Sequence, residues 1–243
     1  MELKLKLLID VHTHLVNPGY NFKKRINSFS VNLMKKRYKF KSFDEYLTAF
    51  LKQLSNSKID KAVLIGIENS SICAGNKHVL NICRKYPDKF LYGINLNPDD
   101  KDIEELIKQA ASEKAVLVKI LPSYQNIDLE KKKYIPFYEI LKKYNLPLLI
   151  HTGIEHTLSS KNQELNNPKK LKNAAETGVK IICAHSGGRM FLHEKNYFNE
   201  WAELAANYEN VYGDLSAMIN PVQWFNLKAI LKDAVLKNKV LFG

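Results

Sequence analysis

The chain has 243 residues, 45% hydrophobic and 26% charged, a length and balance that suit one large α/β domain better than two small ones. No apolar run approaches the roughly 20 residues that cross a bilayer, which excludes a membrane-spanning helix. The net charge of +12 is carried by scattered lysines, with arginine only at Arg25, Arg37, Arg84 and Arg189, so it reads as solvated surface rather than a nucleic-acid site and leaves anionic substrates open.

The first segment, 1–14, places lysines ahead of apolar residues, but its apolar part is short, is broken by Asp10 and has no small-residue cleavage site. It predicts a strand and not a secretory signal. The densest lysine cluster follows at 23–41. Short apolar, β-branched runs predict strands at 4–11, 61–67, 90–95, 115–120, 147–151, 180–185, 210–214 and 239–242. Stretches of helical period separate them at 43–57, 76–86, 102–113, 136–144, 168–177, 197–207 and 224–237. Ser42 with Glu45 has capping-box spacing, Pro136 and Pro168 suit a first helical turn, and Gly178 suits a helix stop. Eight strands alternating with helices predict a (β/α)8 TIM barrel, one domain over 1–243. Two segments exceed an ordinary βα loop, 15–41 and 152–167, and both are expected over the C-terminal face of the barrel.

In Ile9-Asp10-Val11-His12-Thr13-His14 the period of two puts Asp10, His12 and His14 on one face and Ile9, Val11 and Thr13 on the other. Two histidines so spaced can reach one cation at about 2.0–2.1 Å, although the pattern alone fits a chance pair of packed rings equally well. The fifth and sixth strands each end in a single histidine, His151 and His185, followed by a turn with glycine. Four of the seven histidines therefore fall at the C-terminal ends of three barrel strands, where side chains converge. His78, His156 and His193 read as structural, with His156 within reach of a substrate. Lys119, inward at the end of the fourth strand, either snorkels to solvent or meets a substrate anion. Arg189, after Ser186-Gly187-Gly188, either grips a substrate carboxylate or makes a surface ion pair. Asp10 is a candidate to orient an imidazole or a plain buried carboxylate. Cys73, Cys83 and Cys183 are odd in number and lack C-x-x-C spacing, which argues against a disulfide framework and places the chain in the cytoplasm.

These motifs, IDVHTH, VKILPSYQ, LPLLIHTG, IICAHSGG, VYGDLS and KVLFG in this order, resemble the amidohydrolase superfamily, and within it the amidohydrolase-related group (amidohydrolase family 2), over nearly the whole chain. The resemblance implies that His12, His14 and His151 bind a metal, and that His185 ligates a second metal or polarises the substrate. It also implies that Lys119 is a candidate for carboxylation into a bridge between two metals. The group carries a catalytic aspartate two residues beyond the glycine that stands here as Gly243, followed by a last helix. The sequence stops at that glycine, so it reads as a C-terminally truncated barrel in which Asp214 is a candidate substitute ligand or base. The seam residues Leu7, Ile9, Val240 and Phe242 are then expected to face outward without cover.

The expected activity is metal-dependent hydrolysis, a metal-activated water attacking an amide, ester or lactone-like carbonyl while His185 stabilises the oxyanion. The expected cofactor is a divalent cation, Zn2+ first and Mn2+ or Fe2+ next. Two alternatives stand beside it: a decarboxylase of the same group acting on a small carboxylic acid, and an inactive truncated barrel. The expected partner is a small molecule, anionic if Lys119 and Arg189 face it. No nucleic acid or membrane is expected, and self-association into a homo-oligomer through the exposed seam is.

Overall fold

The computed structural model describes residues 7–16, 42–70, 72–160 and 162–243, so the predicted strand residues 4–6, most of the long first loop and the lysine cluster at 23–41 lie outside the described residues. Eight strands form one parallel sheet in the order β1-β2-β3-β4-β5-β6-β7-β8. They are β1 (Ile9–His14), β2 (Lys61–Ile65), β3 (Phe90–Asn95), β4 (Leu117–Ile120), β5 (Leu148–His151), β6 (Ile181–Ala184), β7 (Val211–Asp214) and β8 (Val240–Leu241). The backbone N–H of Val11 donates to the carbonyl of Phe242 at 2.9 Å, which links β8 back to β1 and brings the sheet close to a closed (β/α)8 barrel.

Helices cover the outside at each predicted position. Ser42 Oγ accepts from the Glu45 backbone N–H at 3.2 Å and starts the helix Phe43–Asn56. Lys172–Thr177 stops at Gly178, whose left-handed φ of 82° closes the turn. The predicted helix at 168–177 begins as a 3-10 turn, Pro168–Leu171, and the one at 224–237 ends at Lys232. His78 lies in the helix Asn76–Lys85 with its ring edge-on to Phe43, a packing role.

Two apolar layers hold the barrel. Outward residues of the strands, such as Leu64, Val118, Leu148 and Cys183, pack under the helices. Inward residues Val63, Ile65, Leu117, Leu149, Ile182 and Ala184 fill the interior together with Ile9 and Leu241. With a period of two, Lys119 and His151 stand one inward position above Leu117 and Leu149, which sets polar chemistry on an apolar floor.

The parity expected for β1 needs correction. Ile9 is inward rather than outward, because the pairing with β2 shifts register: Asp10 lies opposite Ala62, yet Thr13 lies opposite Leu64, so β1 carries one extra residue. That bulge reverses the alternation and lets His12 and His14 also face inward. Of the other seam residues, Leu7 and Phe242 are exposed, while Val240 packs against the outer core.

Candidate functional site

At the C-terminal mouth the side chain of His12 is 4% exposed, and Nδ1 lies 2.9 Å from Asp214 Oδ2. An ionised carboxylate only accepts, so the proton of His12 sits on Nδ1 and Nε2 presents a lone pair. Asp214 is buried, and its neighbouring imidazoles and Ser216 hold its carboxyl far below the usual range against the cost of burial. His14 Nδ1 lies 3.1 Å from the carbonyl of Ile65, which fixes the same tautomer there. The two unprotonated nitrogens, His12 Nε2 and His14 Nε2, then face each other at 3.2 Å. Facing lone pairs call for a cation between or beside them. Lys119 Nζ, 0% exposed, lies 3.0 Å from His12 Nε2, and burial brings its pKa down to about 8.

His185 is reached through Ser216. The serine Oγ makes a very short contact with Asp214 Oδ1 and lies 2.6 Å from His185 Nδ1. Because Asp214 cannot donate, Ser216 gives its one proton to Asp214, and His185 Nδ1 must supply the proton in its own contact. His185 Nε2 is therefore an acceptor. This differs from the expected oxyanion donor: a neutral ring so oriented can ligate or take up a proton, and burial keeps it neutral with a pKa of about 4.

The turn that carries His185 is left-handed at three successive residues, His185 (φ 60°), Ser186 (φ 48°) and Gly187 (φ 69°). Three bonds hold it there: His185 N to Asp214 Oδ1 at 2.8 Å, Ser186 Oγ to the Asp214 carbonyl at 2.9 Å, and Gly187 N to Thr152 Oγ1 at 3.0 Å. Thr152 Oγ1 also donates to the Ala184 carbonyl, tying the β5 and β6 loops together. Gly153 completes the tie, since its φ is 87° and an added Cβ would overlap the Gly188 carbonyl oxygen. Gly153→Ala is expected to lower stability by about 2 kcal/mol or more, readable as a drop in melting temperature, because both the left-handed backbone and the close approach oppose a side chain.

Among the described residues the donor atoms of His12, His185 and Asp214 lie within 4.8 Å of one another. His151, expected with His12 and His14, is not in that group. Its ring centroid is 5.1 Å from that of His185, its Nε2 is buried without a hydrogen-bond partner, and it faces Glu155 Oε2 at 3.5 Å. Burial lowers the pKa of both His14 and His151 to about 3, so both rings are neutral and ready to ligate.

The expected substrate contacts are spent elsewhere. Arg189 Nη1 donates to the carbonyls of Leu192 and Glu194, so that nitrogen braces its own loop. His156 Nε2 pairs with Glu194 Oε1 at 2.6 Å, and Glu194 Oε2 accepts from the N–H groups of Met190 and Phe191. His193 stacks on Phe191. Asp10 accepts from the backbone N–H of His12 and not from its ring, so Asp214 does the orienting for which Asp10 was one candidate. Sequence reasoning missed Ser216 and Glu155. Glu155 had one faint signal, a carboxylate four residues past a strand-end histidine in an over-long loop.

A family model described as Amidohydrolase matches residues 9–243. No curated protein matches the chain. Among solved structures it is similar to a candidate 2-pyrone-4,6-dicarboxylic acid hydrolase from Pseudomonas putida, at 17% identity and a TM-score of 0.63 over 98% of this chain and 81% of that one. It is also similar to a candidate amidohydrolase from Staphylococcus aureus, at 12% identity and a TM-score of 0.60 over 98% and 87%. A third, 5-carboxyvanillate decarboxylase from Novosphingobium aromaticivorans with bound manganese, shares 14% identity and a TM-score of 0.54 over 80% and 69%. At such identities these likenesses concern the fold.

Proposed function

The chain belongs to the amidohydrolase family, and from that premise we propose that it is a metal-dependent hydrolase of small carbonyl compounds, an amide, ester or lactone, acting as a single barrel domain. The observation that carries this reading is the pair of Nε2 lone pairs of His12 and His14, fixed 3.2 Å apart by acceptors on their Nδ1 atoms. The donor set fits a divalent cation: neutral imidazoles, a carboxylate behind one of them, and a buried nitrogen on His151 that lacks a partner. Bound there, the cation supplies Lewis acidity toward a carbonyl and acidifies a water. Zinc suits this nitrogen-rich set best, with manganese and iron next.

The chain's own residues divide the rest of the work. His12, His14 and His151 would hold the ion, and Asp214 keeps His12 in the ligating tautomer. His185 Nε2 takes the proton released as the carbonyl is attacked, and Ser216 with Asp214 stabilises the imidazolium that results. Lys119 places positive charge beside the centre and favours an anionic substrate or intermediate. That buried cation also supports the second reading, decarboxylation of a small carboxylic acid. Carbon dioxide released from aromatic or unsaturated carboxylic acids, without uptake of water, would decide for it. The three free cysteines are all buried, in keeping with a reducing compartment such as the cytoplasm.

Protein purified without chelator is expected to hold at least one equivalent of metal per chain by elemental analysis. The His12→Ala, His14→Ala double variant is expected to hold none. A wild-type protein that takes up no added zinc, manganese or iron overturns the reading.

A further inference from the structure

We propose that Glu155 is a direct metal ligand of this centre, its Oε2 and His151 Nε2 taking the same cation. The inference rests on the metal reading above. Glu155 is 8% exposed, and a buried carboxylate is costly unless each oxygen has a positive or donating partner. Oε1 has two, the backbone N–H groups of Thr157 at 2.5 Å and Leu158 at 2.9 Å. Oε2 points instead at His151 Nε2, 3.5 Å away.

That contact is not a hydrogen bond, because His151 Nε2 is buried without a partner. His151 thus turns an unpartnered ring nitrogen toward a carboxylate oxygen in a buried site. The separation of 3.5 Å is shorter than two metal–ligand bonds of about 2.1 Å laid end to end, so one ion can reach both.

Two further observations single out this carboxylate. Asp214 already takes four donors, His12 Nδ1, the His185 and Ser216 backbone N–H groups and Ser216 Oγ, whereas Glu155 Oε2 has no donor among the described residues. The Glu155 backbone is also clamped: its N–H donates to Gln163 Oε1 at 2.9 Å and its carbonyl accepts from Gln163 Nε2 at 2.8 Å. A long loop thus delivers one rigid anionic donor beside His151.

Glu155→Gln tests the assignment, because the amide oxygen still caps Thr157 and Leu158 while the anionic ligand is lost. Zinc affinity, measured by competition with a chromogenic chelator, is expected to fall by more than about 100-fold, beyond the roughly 10–100-fold that losing an outer hydrogen-bond partner costs. The metal-free variant should melt within a few degrees of the wild type. If the amide upsets the loop, Glu155→Asp keeps the charge but shortens the reach by one methylene, and the same loss is expected. A smaller loss than 100-fold in the folded variant overturns the ligand assignment and leaves the metal reading standing. Absence of zinc binding in the unsubstituted chain overturns both.

Discussion

Asp214→Asn is expected to lower the melting temperature by roughly 10 °C and to strip the metal from the centre. Asp214 is buried and accepts from His12, from two backbone N–H groups and from Ser216. An asparagine must turn its NH2 toward at least one of these donors, leaving buried polar groups unpaired at a cost of about 3 kcal/mol or more. For a chain of this size each kcal/mol corresponds to roughly 2–4 °C. If the amide nitrogen meets His12 Nδ1, the imidazole proton moves to Nε2 and the ligating lone pair is lost. Thermal melting and elemental analysis of the same preparation read both effects. A variant that melts within about 2 °C of the wild type and keeps its metal would show that Asp214 neither orients His12 nor pins the β6 turn.

Acidification of the metal-free protein from pH 7 to pH 5 is expected to remove most of its stability. His14 and His151 have folded pKa values of about 3 and His185 of about 4, each lowered first by burial. The unfolded chain binds these protons near pH 6.5 and the folded chain does not, so stability rises with pH and is lost as pH falls below about 6.5. At pH 5 each histidine contributes about 2 kcal/mol of destabilisation, and three together reach about 6 kcal/mol, within the range of a whole domain's net stability. Asp214, depressed well below the usual carboxylate range, acts in the same direction at lower pH still. Melting curves at pH 7, 6 and 5 after chelation should shift steeply downward. Zinc should restore part of the stability at pH 6, since it binds only the neutral rings. A melting temperature that stays flat from pH 7 to pH 5 would mean that the rings charge freely inside the fold.

The self-similar alternation of apolar runs and helical stretches carried the barrel in the sequence. Runs such as Leu148–His151 and Ile181–Ala184 are too short and too apolar for anything but strands buried on both faces, and parallel strands of that kind need helices over them. The placement of His12, His14, His151 and His185 at strand ends was equally legible, because a parallel barrel gathers those ends at one mouth whatever the loops do. The motifs around them carried the family.

Three features needed the folded chain. One is the bulge in β1: alternation counted from Ile9 along the sequence puts the histidines opposite to it, and only pairing against β2 shows the extra residue that brings both inward. The second is the set of tautomers. Imidazole chemistry depends on what sits against Nδ1, and the acceptors there, Asp214, the Ile65 carbonyl and Ser216, come from residues 202, 51 and 31 positions away. The third is the fate of the loop side chains. Arg189 and His156 looked available for a substrate and are bound to their own loops, while Glu155, only faintly signalled in the sequence, is aimed at His151. Local periodicity and composition determined which strand ends meet, since those depend on near neighbours in the chain. Which lone pairs and charges face one another was decided by contacts between distant segments, and only the tertiary structure contains those.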